Sequence, residues 1–86
     1  MQNLDRLIAT LNSLDSGAPP IDAELARAGL AQLPDLDQAV IKARFGLTGE
    51  KRKLLSDLAA TTGLTVNRVR LVEARALRRL LHQSRS

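Results

Sequence analysis

The chain has no cysteine, tryptophan or tyrosine, and Phe45 is the one aromatic residue among its 86. Without thiolates there is no disulfide framework and no cysteine-ligated zinc finger. Without aromatics there is no platform for stacking single-stranded bases. The core must then be built from Leu, Val, Ile and Ala, as in helical bundles. β-Branched residues do not alternate with polar ones, which argues against a sheet. No apolar run reaches membrane-spanning length and no secretory-leader pattern opens the chain, so the expectation is a soluble protein inside the cell. His82 is the sole histidine and has no partner set for a metal or a nucleophile. Glycine-rich phosphate loops, nucleophile–base constellations and paired carboxylates are missing as well. The expectation is a protein without catalysis, cofactor or metal.

Charge is present but unevenly placed. Through Ile41 there are two basic and six acidic residues, and from Lys42 onward eleven basic and three acidic. The halves therefore carry −4 and +8, although the whole chain carries only +4. Such asymmetry suits one half turned to nucleic acid and the other turned elsewhere. A chain of this length forms a single small core, burying about 60–65% of its unfolded surface.

The stretch from Leu54 to Leu81 carries the strongest pattern. Leu55, Leu58 and Ala59 fall on one helical face, and Gly63 stands where that helix has to end, in a conformation only glycine adopts without strain. Leu64 plugs the turn and Thr65 is a suitable N-cap for a second helix. In that helix Val69, Val72, Ala76 and Leu80 recur at three- and four-residue spacing, the mark of one buried face. At about 100° per residue, Asn67, Leu71, Ala74 and Arg78 point the other way, flanked by Arg68, Arg70 and Arg75. This is the order of a helix-turn-helix whose second helix enters the major groove of duplex DNA. The arginines suit phosphates or guanine edges, Asn67 an adenine edge and Leu71 a thymine methyl. Thr65 adds a phosphate contact to its cap. Lys51, Arg52 and Lys53, directly before the first helix of the motif, suit either phosphate or solvent; phosphate contacts position without specifying sequence.

The rest of the chain supplies supporting helices. Leu4, Leu7, Leu11 and Leu14, with Ile8 beside them, form a two-heptad stripe over residues 1–15, with Asn3 as N-cap. Two readings are open for it: packing onto its own domain, or a homodimer or partner contact. Residues 16–21, with Gly17, Pro19 and Pro20, read as a semi-rigid linker. Asp22 starts a helix that reaches Leu33, with Leu25, Leu30 and Leu33 apolar and Gly29 weakening it by about 1 kcal/mol relative to alanine. After Pro34 a further helix enters at Asp35, turns Leu36, Ala39, Val40 and Ala43 inward, and closes at Gly46. Glu73 lies close to the inward face of the second motif helix and wants a cation, for which Arg44 is the candidate. Residues 22–86 thus read as one all-α domain, and the whole chain as four to five helices.

LTVNRVR followed by VEARALRRL resembles the end of region four of bacterial sigma factors of the primary type. LPDLDQAVIKARFGL, from Leu33 to Leu47, resembles the first half of that region, and HQSRS its exit. The resemblance covers Ala28 to Ser86 and is carried most specifically by Arg44-Phe45-Gly46 and Glu73-Ala74-Arg75-Ala76-Leu77. It implies a small helical domain in the bacterial cytoplasm that reads the upstream promoter element and docks on the β flap of RNA polymerase. The family's base-reading positions usually hold charged or amide residues. Here they hold Val66, Asn67 and Leu71, while Arg68 and Arg70 match.

These features lead to the expectation of a stand-alone DNA-binding regulator, foremost a repressor, dimeric through Leu4 to Leu14. The length leaves no room for the other regions of a complete sigma factor. The alternatives are a module that binds RNA polymerase or an anti-sigma partner, and the C-terminal piece of a larger sigma factor.

Overall fold

The computed structural model describes residues 4–15, 17–49 and 51–85. Asn3, expected to cap the first helix, lies outside them, as do Ser16 of the linker and Glu50 of the basic loop. The described residues form five helices and no strand: α1 (Leu4–Leu14), α2 (Ala23–Ala31), α3 (Asp35–Phe45), α4 (Leu55–Thr62) and α5 (Val66–Arg85). The all-α expectation holds.

Local chemistry sets the helix ends. The Asp22 carboxylate accepts from the Leu25 N–H at 2.9 Å and caps α2, a contact whose loss typically costs about 1 kcal/mol. Pro34 precedes α3, whose first turn holds Asp35 and Asp37 and whose last turn holds Lys42 and Arg44, both in accord with the helix dipole. Gly46 and Gly63 end α3 and α4 in the left-handed region, at φ 64° and 75°. Both terminations agree with the sequence reading.

α5 is the spine. It meets α2 most extensively, then α3 and α4. Its inner face serves two cores. Val69 and Val72 join Val40 and Leu58, with Leu55, Ala59 and Leu64 packed alongside. Ala76 and Leu80 join Leu30, Leu33, Ile41 and Leu47.

The leucine stripe of α1 is taken up in this second core. Leu7 and Leu11 have no exposed surface, Leu4 is buried, and Ile8 packs partly against them. Leu14 alone is open, at 54% exposure. Of the two readings of the stripe, the structure shows packing onto its own domain: the apolar face of Leu4, Leu7 and Leu11 is covered by the chain itself. Ile21, assigned by sequence to the linker, also belongs to this core. Its N–H donates to Asn12 Oδ1 at 2.8 Å, which ties the returning chain to α1.

In α2 and α3 the buried positions are not simply the largest apolar ones. In α2, Leu25 is 45% exposed, and Ala26 and Gly29 are buried in its stead. In α3, Leu36 and Ala39 are exposed, whereas Asp37, Val40 and Ile41 are buried. The reason in α2 is closeness to α5. A Cβ added at Gly29 would lie 2.7 Å from Ser84 Oγ and 3.2 Å from the Ser84 backbone nitrogen. Gly29 therefore does more than weaken its helix; it allows two helix backbones to approach.

Two outcomes follow. Gly29→Val should destabilise the fold by about 1–3 kcal/mol through overpacking, lowering the melting temperature by roughly 4–8 °C per kcal/mol in a domain of this size; circular dichroism on heating measures it. Changing Leu7 and Leu11 together to Lys should abolish cooperative melting instead of yielding a folded monomer. Each truncation of a core leucine alone costs about 2–5 kcal/mol, against a total stability of about 5–15 kcal/mol.

Candidate nucleic-acid interface

α4, the turn at Gly63 and Leu64, and α5 form the helix-turn-helix. Thr65 begins the second helix as expected: its Oγ1 accepts from the Arg68 N–H at 3.0 Å, and its carbonyl accepts from the Val69 N–H at 3.0 Å. With Val69 and Val72 fixed inward against Leu58 and Val40, the first two turns of α5 turn Asn67, Arg68, Arg70 and Leu71 to solvent. Neither Arg68 nor Arg70 pairs with a carboxylate among the described residues. Leu71 is 57% exposed and Val66, at the helix tip, 40%. An uncovered start of α5 with unpaired guanidinium groups beside it can enter a groove and reach phosphates without first breaking internal contacts.

Lower on the same helix the arginines are differently employed. Asp37 is 1% exposed, and both of its carboxylate oxygens are bound by α5. Arg75 Nη2 donates to Oδ1 at 3.3 Å and Arg79 Nη1 donates to Oδ2 at 3.0 Å. The sequence groups Arg75 with the DNA-facing residues; the structure instead ties it to α3 as half of a clamp around a buried carboxylate, which needs cations to remain inside. Arg79, absent from the sequence-based set, is the other half. Its signal was available: Arg75 and Arg79 are four apart, hence on one helix edge.

Arg78 keeps the outward line of Asn67 and Leu71 but sits eleven residues beyond Asn67, roughly 16 Å along the axis at about 1.5 Å per residue. A groove about 12 Å wide cannot present the same base pairs to both. Arg78 borders two hollows, one of about 410 Å³ with Leu14, Ala74, Leu77 and Leu81, and one of about 610 Å³ with Arg75, Arg79 and His82.

The basic loop is pinned at one point. The Lys53 N–H donates to the Ala43 carbonyl at 2.9 Å, and the Lys53 carbonyl accepts from Arg44 Nη1 at 3.0 Å. Arg44 Nε also pairs with Glu73, the partnership expected from sequence. One guanidinium thus links α3, the loop and α5. Lys51 and Arg52 remain exposed and, with Arg44, Lys53 and Leu54, line a hollow of about 540 Å³. The positive charge there lies at the start of α4, the first helix of the motif. No group of His, Asp or Glu that could hold a metal occurs among the described residues, and no described helix is long and apolar enough to cross a membrane.

Compared with known families, residues 29–82 match the family described as Sigma-70, region 4. The match begins at Gly29 in α2, takes in α3 and α4 whole, and runs along α5 to His82; α1 lies outside it. No solved structure matches the chain. With the match extending over more than half the sequence, and with the capped second helix and glycine turn in place, the chain belongs to the sigma-70 region 4 family of DNA-binding helix-turn-helix domains.

Proposed function

We propose that this protein is a stand-alone transcription repressor that binds duplex DNA by placing the first two turns of α5 in the major groove. The observation that carries the reading is the contrast along α5. Arg68 and Arg70 are exposed and without a carboxylate partner among the described residues, next to Asn67 and Leu71, while Arg75 and Arg79 are engaged by Asp37. The helix divides into a half that is free to meet a ligand and a half that holds the fold. Lys51 and Arg52 add positive charge near the start of α4, where a phosphate backbone flanking the groove would run. Repression needs only occupancy of a site, and a compact DNA-binding unit supplies it. The packing of α1 into the common core supports a self-contained unit. With the leucine stripe covered, the site is a single unit bound by one copy, without a dyad.

A second reading, contact with RNA polymerase, is favoured by the open apolar hollow between Leu14 and the Ala74, Leu77 and Leu81 side of α5. It differs from the first in the surface used.

Selection of bound duplexes from a random pool tests the main reading. An enriched motif without a two-fold repeat is expected; no enrichment together with retention on RNA polymerase would replace the repressor by the polymerase-binding reading. Arginine variants locate the surface. Arg68→Ala and Arg70→Ala should each lower the dependence of log affinity on log salt by about 0.9, the share of one phosphate contact on B-DNA. Arg75→Ala should leave that slope unchanged and lower the melting temperature, because its loss weakens the clamp on Asp37. Unchanged slopes for both Arg68 and Arg70 variants would remove α5 as the reader.

A further inference from the structure

The reading tip of α5 is chemically unusual for a surface bordered by cations. At about 100° per residue, with Val69 and Val72 buried, Asn67 and Leu71 lie on the outward midline, and Arg68 and Arg70 stand on opposite shoulders. A helix lying in a major groove has a phosphate backbone along each side, so shoulder arginines meet phosphates and the midline meets bases. Over the first two turns the midline and the tip hold one amide, Asn67, and two open apolar side chains, Val66 and Leu71. Neither a cation nor a carboxylate stands on the midline between Asn67 and Leu71, while Val66 opens at the helix end, on the Arg70 side. The major-groove edges then sort themselves. Guanine presents two acceptors and is read by arginine or lysine, and cytosine presents a donor and is read by a carboxylate. Adenine suits an amide, and thymine alone offers an apolar group, its C5 methyl.

We infer that this surface selects its sites through thymine methyl groups, with Val66 and Leu71 each packing on one methyl, Asn67 on an adenine, and no side chain assigned to guanine. The inference rests on the DNA-binding reading and adds to it the chemical class of sequence preferred. Flanking charge favours DNA over an apolar protein partner as the occupant: Arg68 and Arg70 border the tip without carboxylate partners among the described residues. Such a border suits a polyanion with apolar groups in its groove, which is how a thymine-rich major groove looks to a protein.

The test starts from the full chain and a site selected from random duplexes. Each thymine of that site is replaced in turn by deoxyuridine, which removes only the C5 methyl. Two positions should each weaken binding about fourfold, the equivalent of about 0.8 kcal/mol per buried methyl at about 1.4 kcal/mol per tenfold change. Leu71→Ala should bind the thymine and deoxyuridine duplexes equally at one of the two positions, and Val66→Ala at the other. Both residues are exposed, so neither truncation disturbs the core. A selected site read through guanines, or an affinity indifferent to deoxyuridine throughout, would overturn the methyl readout while leaving DNA binding in place. Methyl dependence that persists undiminished in both variants would overturn the assignment to Val66 and Leu71. A pool yielding no bound duplex would overturn the DNA reading itself, and the methyl readout with it.

Discussion

Four side chains on one face of α5, Val69, Val72, Ala76 and Leu80, hold the molecule together, because each of its two cores needs a pair of them. Val69 and Val72 close the small core beneath the motif, against Val40 and Leu58. Ala76 and Leu80 close the larger one, where α1, α2 and α3 converge. The helix is unbroken between the pairs, so the orientation of its exposed tip is set by packing two and three turns further on. The direction of the exposed start of α5 is thus inherited from burial elsewhere.

The division of charge along the chain takes a more specific form in three dimensions. Asp37 belongs to the acidic half in sequence but is inside, facing two arginines of the basic half. The pairing lowers the positive charge available on the lower part of α5 and leaves that of the upper part intact. Arg44 acts similarly at the other end of α3, joining Glu73 and the Lys53 carbonyl. α3 is therefore held to α5 by polar contacts at each end and by Val40 and Ile41 between them. Such contacts specify relative orientation better than apolar contacts do, since few geometries satisfy both oxygens of a buried carboxylate.

What could be read from the residues depended on how local the cause was. Gly46, Gly63, Thr65 and Asp22 act within a few residues, and their roles were legible in the sequence. The Val69 stripe was legible for the same reason, as was the Glu73–Arg44 pair, where a carboxylate near an apolar face called for a cation. Leu36 misled because size was taken as a sign of burial. In α2 the inner face instead needs Ala26 and Gly29, since α5 passes too close for leucine. In α3 a carboxylate is buried because partners 38 and 42 residues away neutralise it, and no spacing rule within the helix reveals that. The fate of the α1 stripe was likewise undetermined by its own pattern, which is equally suited to a second chain and to the core it joins. Among the DNA-facing candidates, the first two turns of α5 stand together as an exposed surface, and Arg75 is also paired with a residue in another helix.

The close crossing at Gly29 and Ser84 has a consequence for when the protein comes to exist during synthesis. These residues are some fifty-five positions apart, which at about 5–20 residues per second separates their appearance by roughly 3–11 s. Helices themselves form in about a microsecond, so through that interval α1, α2 and α3 lack the Ala76 and Leu80 face that completes their core. Only α5 closes it. The helix that completes both cores is also the second helix of the helix-turn-helix, with Arg68, Arg70 and Leu71 exposed at its start. Structural completion therefore waits on the last helix of the chain's helix-turn-helix.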